Sequence, residues 1–129
     1  MTNTNPIRLG ISGLGLAGAM LIRAARQDPR FTLMAGTDPL PRPRAAFSND
    51  FGARIHTNFA DLCDDDELDA IYIASPHEFH KSQAVAALES GKHVLVEKPL
   101  ALSLADCDEV VAAADRAGHH GVGCVGMEH

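Results

Sequence analysis

Apolar and polar positions in this chain repeat with two periods that take turns. Ile7, Leu9 and Ile11 alternate with Arg8 and Gly10 ahead of a glycine-rich stretch, which predicts a short strand entering a tight turn. Ala17, Met20, Leu21, Ala24 and Ala25 then recur at helical spacing, and Pro29 predicts where that helix stops. Residues 31–35 form a second apolar run, closed by Gly36-Thr37-Asp38-Pro39. Pro39-Leu40-Pro41-Arg42-Pro43 is too proline-rich for a helix or a central strand, so the next helix is expected only from Arg44, reaching Phe51.

Residues 70–74 are continuously apolar, as in a strand buried on both faces. Residues 79–88 read as a helix stopped by Gly91, and Val94-Leu95-Val96 as another buried strand. Ser103 with Asp106 three residues on predicts a helix start. Cys107, Val110, Val111 and Ala114 follow at helical spacing, and Gly118 serves as the C-cap. Residues 121–129 carry a weak strand signal. Strands therefore alternate with helices from end to end. That predicts an α/β fold: a Rossmann-type parallel sheet with helices on both faces, forming one domain over residues 1–129.

Composition narrows the function. A content of 46 % apolar and 22 % charged residues suits a globular domain. A net charge of −6 and scattered Lys and Arg argue against a nucleic-acid partner. No apolar stretch is long enough for a membrane span, and residues 1–6 lack a signal-peptide pattern, so a cytoplasmic protein is expected. Cys63, Cys107 and Cys124 are widely spaced and read as buried or half-buried thiols in a reducing compartment. His119, His120 and His129 show no ligand spacing, so no metal is expected. The acidic run at 61–69 reads as a solvated helix end or loop.

Gly13-Leu14-Gly15-Leu16-Ala17-Gly18 fits G-x-G-x-x-G, in the strand–loop–helix context the motif requires. Gly13 permits the turn, Gly15 lets a pyrophosphate approach the backbone, and Gly18 lets helix and strand pack closely. The helix start then offers free N–H groups and a partial positive charge. Asp38, twenty residues after Gly18, is placed to accept from ribose hydroxyls and to repel a 2′-phosphate, which favours NAD. Arg42 and Arg44 keep NADP open, because an Arg there can pair with that phosphate. S-adenosylmethionine is a weaker rival, since Ile11 and Ser12 stand where its class carries an acid.

Two later strand ends are polar: Ser75-Pro76-His77-Glu78-Phe79-His80 and Glu97-Lys98-Pro99. Ligands of open α/β sheets lie beyond such carboxyl ends. Lys98 could donate to a substrate hydroxyl or relay its proton, yet composition alone favours pairing with Glu97 or a solvated strand end. His77 and His80, as isolated loop histidines, read first as surface residues.

Together these segments resemble the N-terminal domain of the Gfo/Idh/MocA oxidoreductase family, from about Pro6 to about Gly118. The most specific run is Gly91-Lys92-His93-Val94-Leu95-Val96-Glu97-Lys98-Pro99-Leu100-Ala101. The resemblance implies that Lys98 stands at the nicotinamide and substrate as the catalytic residue. It also implies that Ser75, Pro76, His77 and His80 take the places of a Thr-Pro-Asn-x-x-His motif, with His77 where Asn is usual. The cofactor-binding set it implies is Gly13, Leu14, Gly15, Leu16, Ala17, Gly18, Asp38, Ser75, Pro76, His77, His80, Glu97 and Lys98, with NAD, or alternatively NADP, as cofactor. Within the family the wording is most similar to bacterial cis-dihydrodiol dehydrogenases of phthalate degradation. Family members continue into a C-terminal substrate domain that also forms an oligomer interface. That domain is expected to be absent from this chain, leaving a nucleotide site without turnover of its own. The small-molecule substrate and any homo-oligomer then belong to the full-length parent. A stand-alone nucleotide-binding module without chemistry is the other reading.

Overall fold

The computed structural model describes residues 6–97, 104–118 and 123–125. Their elements run β1 (Ile7–Ser12), α1 (Leu16–Arg26), β2 (Phe31–Thr37), α2 (Pro41–Phe51), β3 (Arg54–His56), α3 (Phe59–Cys63), β4 (Ala70–Ile73), α4 (His80–Glu89), β5 (His93–Glu97), α5 (Leu104–Arg116) and β6 (Gly123–Val125). A 3-10 turn, His77–Phe79, leads into α4. The six strands form one sheet in the order β3-β2-β1-β4-β5-β6, with every pair parallel. The chain winds outward from β1 to β3, then crosses back to β4 on the other side of β1. The sheet's switch point therefore lies between β1 and β4.

Side-chain alternation along the strands builds two cores. Leu9, Ile11, Ala70 and Tyr72 point to one face, against Ile22 and Ala25 of α1 and Phe47 of α2. Ile71, Ile73, Val94 and Val96 point to the other, against Leu62 of α3, Ala84 and Leu88 of α4 and Val110 of α5. All four residues of β4 are buried, which is why its sequence reads as an unbroken apolar run. The alternation breaks once, where Leu9 pairs with Leu33 but Gly10 with Ala35. This bulge turns Gly36 toward α2, where an added Cβ would lie 2.9 Å from the Phe47 ring.

The structure corrects the sequence in four places. The second helix begins at Pro41, not Arg44, and includes Pro43. Both prolines lie in its first turn, where backbone N–H groups have no intrahelical acceptor, so they break no bond. The second strand runs on through Gly36 and Thr37, which the sequence reads as closing it. Strand β3 is not anticipated at all, because three residues are too few to show a period. The acidic run is not uniformly solvated. The Asp65 side chain is 7 % exposed, and its Oδ2 accepts from Arg54 Nη2 at 2.8 Å and pairs with His56 Nε2 at 2.9 Å. Asp69 accepts from the backbone N–H and guanidinium of Arg8. The helix start read at Ser103 and Asp106 rests on residue 103 and on a side chain that both lie outside the description. The end at Gly118 is present, with φ of +78°. No helix among the described residues is long and apolar enough to cross a membrane.

Asp65 ties the edge strand β3 to the loop before β4. Burial raises its pKa, but hydrogen bonds from His56, Arg54 and the Glu67 N–H outweigh it and bring the carboxyl down to about 2. A depressed folded-state pKa adds stability that is complete above the unfolded value and vanishes as pH falls through the folded one. Asp65→Asn is expected to lower stability by about 1–2 kcal/mol at pH 7. In urea melts across pH, that deficit should shrink between about pH 4 and pH 2. A deficit constant across this range would refute the charge-based account.

Candidate functional site

β1 ends at the switch point, and the loop after it is shaped by the absence of side chains. Gly13 has φ of +96°, a left-handed value that disfavours other residues. A Cβ there would lie 2.7 Å from the Ala74 carbonyl. The Gly13 N–H donates to the Thr37 carbonyl at 2.9 Å, and the Ala74 N–H to the Ser12 carbonyl at 2.7 Å. The turn is thus pinned between the ends of β2 and β4. At Gly18 a Cβ would run into the Gly13 carbonyl oxygen, so Gly18 seats the helix on its own loop. At Gly15 an added Cβ would meet nothing within 4 Å. Gly15 caps α1 with an extended backbone, no side chain caps the helix, and its first turn carries no acid. The opening turn therefore presents N–H groups and a partial positive charge to open space.

Asp38 follows β2 and reaches back to this loop. Its Oδ2 accepts from the Leu14 N–H at 2.9 Å and its Oδ1 from the Leu40 N–H at 2.9 Å. The carboxylate thus organises the glycine loop while keeping lone pairs for further donors. Arg44 donates from Nη1 to the Asp38 carbonyl at 2.8 Å, so one of the two arginines is tied back beside the acid.

The β4 end adds Ser75, half-buried, with Pro76 and His77 exposed beyond it. His80 departs from the surface position expected of a loop histidine. It is 0 % exposed, opens α4, and its Nε2 lies 2.8 Å from the Ser75 carbonyl. The His77 ring stands edge-on to it at 5.5 Å. His80 therefore steadies the Ser75 backbone from beneath. Glu97 ends β5, with its backbone paired to Val125, and the sequence reading places its side chain beside the cofactor. Lys98, and with it the rest of the Pro99-to-Ala101 run, lies outside the described residues, as do His119, His120 and His129.

One further residue at this edge, Gln83, escapes the sequence reading. It is joined to Ser12 by a hydrogen bond, and Leu40 and Phe79 are large apolar side chains left exposed beyond β2 and β4. The one hint in sequence is that Gln83 falls three residues after His80, on the same helical face. A cleft of about 1370 Å³ opens at the opposite, amino edge of the sheet, lined by Arg8, Asp69, Lys92 and His93 among others. It holds none of the predicted site residues.

An uncapped helix start beside a side-chain-free loop, at the switch point of a parallel sheet and next to an acid after β2, defines a dinucleotide-binding domain. The open space at Gly15 and the uncapped, acid-free start of α1 fit a pyrophosphate. The chain belongs to the Gfo/Idh/MocA oxidoreductases: the model of that family's NAD-binding Rossmann fold matches residues 7–123. A dehydrogenase from Comamonas testosteroni, acting on 1-carboxy-3-chloro-3,4-dihydroxycyclohexa-1,5-diene, is 40 % identical over 124 residues. That match takes in 95 % of this chain and 31 % of the relative, so the chain spans about a third of that protein's length. Two solved structures show the same fold. The WlbA dehydrogenase of Bordetella pertussis, in complex with NADH and UDP-GlcNAcA, has a TM-score of 0.90 at 30 % identity over 97 % of this chain and 36 % of its own. Biliverdin reductase from Synechocystis, with biliverdin and NADP+, has 0.86 at 33 % identity over 94 % and 38 %.

Gly13 and Gly15 should respond differently to the same added methyl group. Gly13→Ala forces a left-handed alanine onto the β4 backbone and should cost about 2 kcal/mol or more, read as a lowered thermal midpoint. Gly15→Ala should leave stability within about 0.5 kcal/mol of the parent while weakening dinucleotide binding. Equal losses of stability at both positions would contradict this division.

Proposed function

We propose that this chain is the cofactor half of an NAD-dependent dehydrogenase acting on a hydroxyl-bearing small molecule, with a cis-dihydrodiol as the substrate class. The observation that carries the nucleotide part is the uncapped start of α1 beside Asp38. The substrate class is supported by the Comamonas relative. Family membership favours this reading over a nucleotide-binding module without chemistry. The dinucleotide-binding domain covers the residues the family model matches, 7–123, and substrate contacts are expected from the part of the relatives that this chain does not match.

In this reading the backbone of Gly13, Leu14, Gly15, Leu16, Ala17 and Gly18 holds the pyrophosphate, and Asp38 takes the adenosine ribose. Ser75, Pro76, His77 and Glu97 border the other half of the cofactor, with His80 acting through Ser75. Lys98 binds the substrate hydroxyl and relays its proton. Bound nicotinamide supplies the hydride acceptor. A negative Asp38 at the ribose opposes a 2′-phosphate, which favours NAD over NADP. The setting is the cytoplasm, where a free thiol such as Cys63 stays reduced; burial pushes that thiol up to about 11 and leaves it unreactive.

Calorimetric titration should show saturable NADH binding, with NADPH weaker by about tenfold or more. Asp38→Ala should weaken NADH and bring the two affinities together. Failure of the parent chain to bind either nucleotide would overturn the proposal, and unchanged discrimination in Asp38→Ala would remove that residue's role. In the enzyme that carries this domain, Lys98→Ala should reduce turnover by at least about 100-fold, a far larger effect than its change in cofactor Kd.

A further inference from the structure

Residues from three elements converge on one side-chain amide behind the glycine loop. Ser12, the last residue of β1, is 2 % exposed, and its Oγ donates to Gln83 Oε1 at 2.9 Å. Ser75, just past β4, donates from its Oγ to the same Oε1 at 2.8 Å. Gln83 lies in α4, one turn after His80, whose Nε2 meets the Ser75 carbonyl. One face of α4 thus grips Ser75 twice, by backbone and by hydroxyl, and reaches across to Ser12.

The position of this node matters. β1 and β4 are the two strands that flank the switch point. The turn at Gly13 follows Ser12 directly and leans on the Ala74–Ser75 backbone. Main-chain pairing between the strands ends at Ser12 with Ile73, and the Ala74 N–H adds one more bond. Beyond it, the shared Gln83 oxygen ties the glycine loop to the Ser75 loop. Two hydroxyls bonded to one half-buried acceptor lose both partners if it is removed, so the tie is stiff.

We infer that Gln83 is a positioning residue that sets the spacing between the glycine loop and the Ser75 loop, and thereby the fit of the nicotinamide half of the dinucleotide. This rests on the dinucleotide reading above. The halves are assigned by the sheet: Asp38 at the end of β2 draws the adenosine side toward β2, so the other half extends over β4. Slack between the β1 and β4 loops therefore loosens the nicotinamide side and leaves the adenosine side as it was.

The test compares NADH with ADP, which lacks the nicotinamide half, on the 129-residue chain and its Gln83→Leu variant, with thermal midpoints recorded alongside. Gln83→Leu is expected to weaken NADH about tenfold and ADP less than twofold. In a Ser12→Ala/Ser75→Ala background, adding Gln83→Leu should produce no further loss of NADH affinity, because the amide then has nothing to hold. Equal weakening of NADH and ADP, an unchanged NADH affinity, or full additivity of the three substitutions would each overturn the inference. Should Gln83→Leu not fold, Ser75→Ala alone carries the same comparison, with a smaller selective loss expected for NADH and an equal effect on both ligands counting against it. A parent chain that binds neither ligand would instead refute the dinucleotide reading.

Discussion

β1 must stop, reverse and become a helix within three residues, wedged between the ends of two neighbouring strands. No side chain fits at the first of those residues, because its Cβ would sit on the Ala74–Ser75 backbone just past β4. The left-handed Gly13 turn satisfies this demand and delivers α1 with its first turn facing outward. Gly18 then lets the helix rest on the loop's own carbonyl. The rest of the carboxyl edge is arranged around this turn: Thr37 accepts its N–H, Asp38 holds Leu14, and β4 supplies the wall. An anion site follows as a by-product of packing, since helix N–H groups without internal partners face space that no side chain fills.

The acid after β2 bonds backbone N–H groups on both the glycine loop and its own turn. A loop preformed by its own carboxylate loses less conformational freedom when a ligand binds. Arg44 donates to the Asp38 carbonyl, which holds one guanidinium beside the acid. On the other side of β1, His80 and Gln83 support Ser75 from within α4. The site is thus organised by residues behind it as much as by residues lining it.

Much of this was legible in sequence, for physical reasons. Strands buried on both faces must be continuously apolar, so residues 70–74 and 94–96 announce themselves. The glycine loop is readable because the turn at Gly13 and the close approach at Gly18 leave no room for a side chain. Family resemblance and the family match agree over most of the chain. What stayed hidden depends on contacts distant in sequence. β3 exists because it pairs with β2 and is held by Asp65, neither of which leaves a local pattern. Pro41 and Pro43 look like helix breakers until the helix start is known to fall on them.

The sequence by itself determined the alternating α/β order, the turn at Gly13 and the presence of an acid after β2, because local periodicity and backbone sterics encode these directly. Only the tertiary structure decided that His80 is buried rather than exposed and that Asp38 bonds the glycine loop. It alone placed Ser12, Ser75 and Gln83 on one shared oxygen. Ser12 and Gln83 are 71 positions apart, and only the crossover to β4 brings them together.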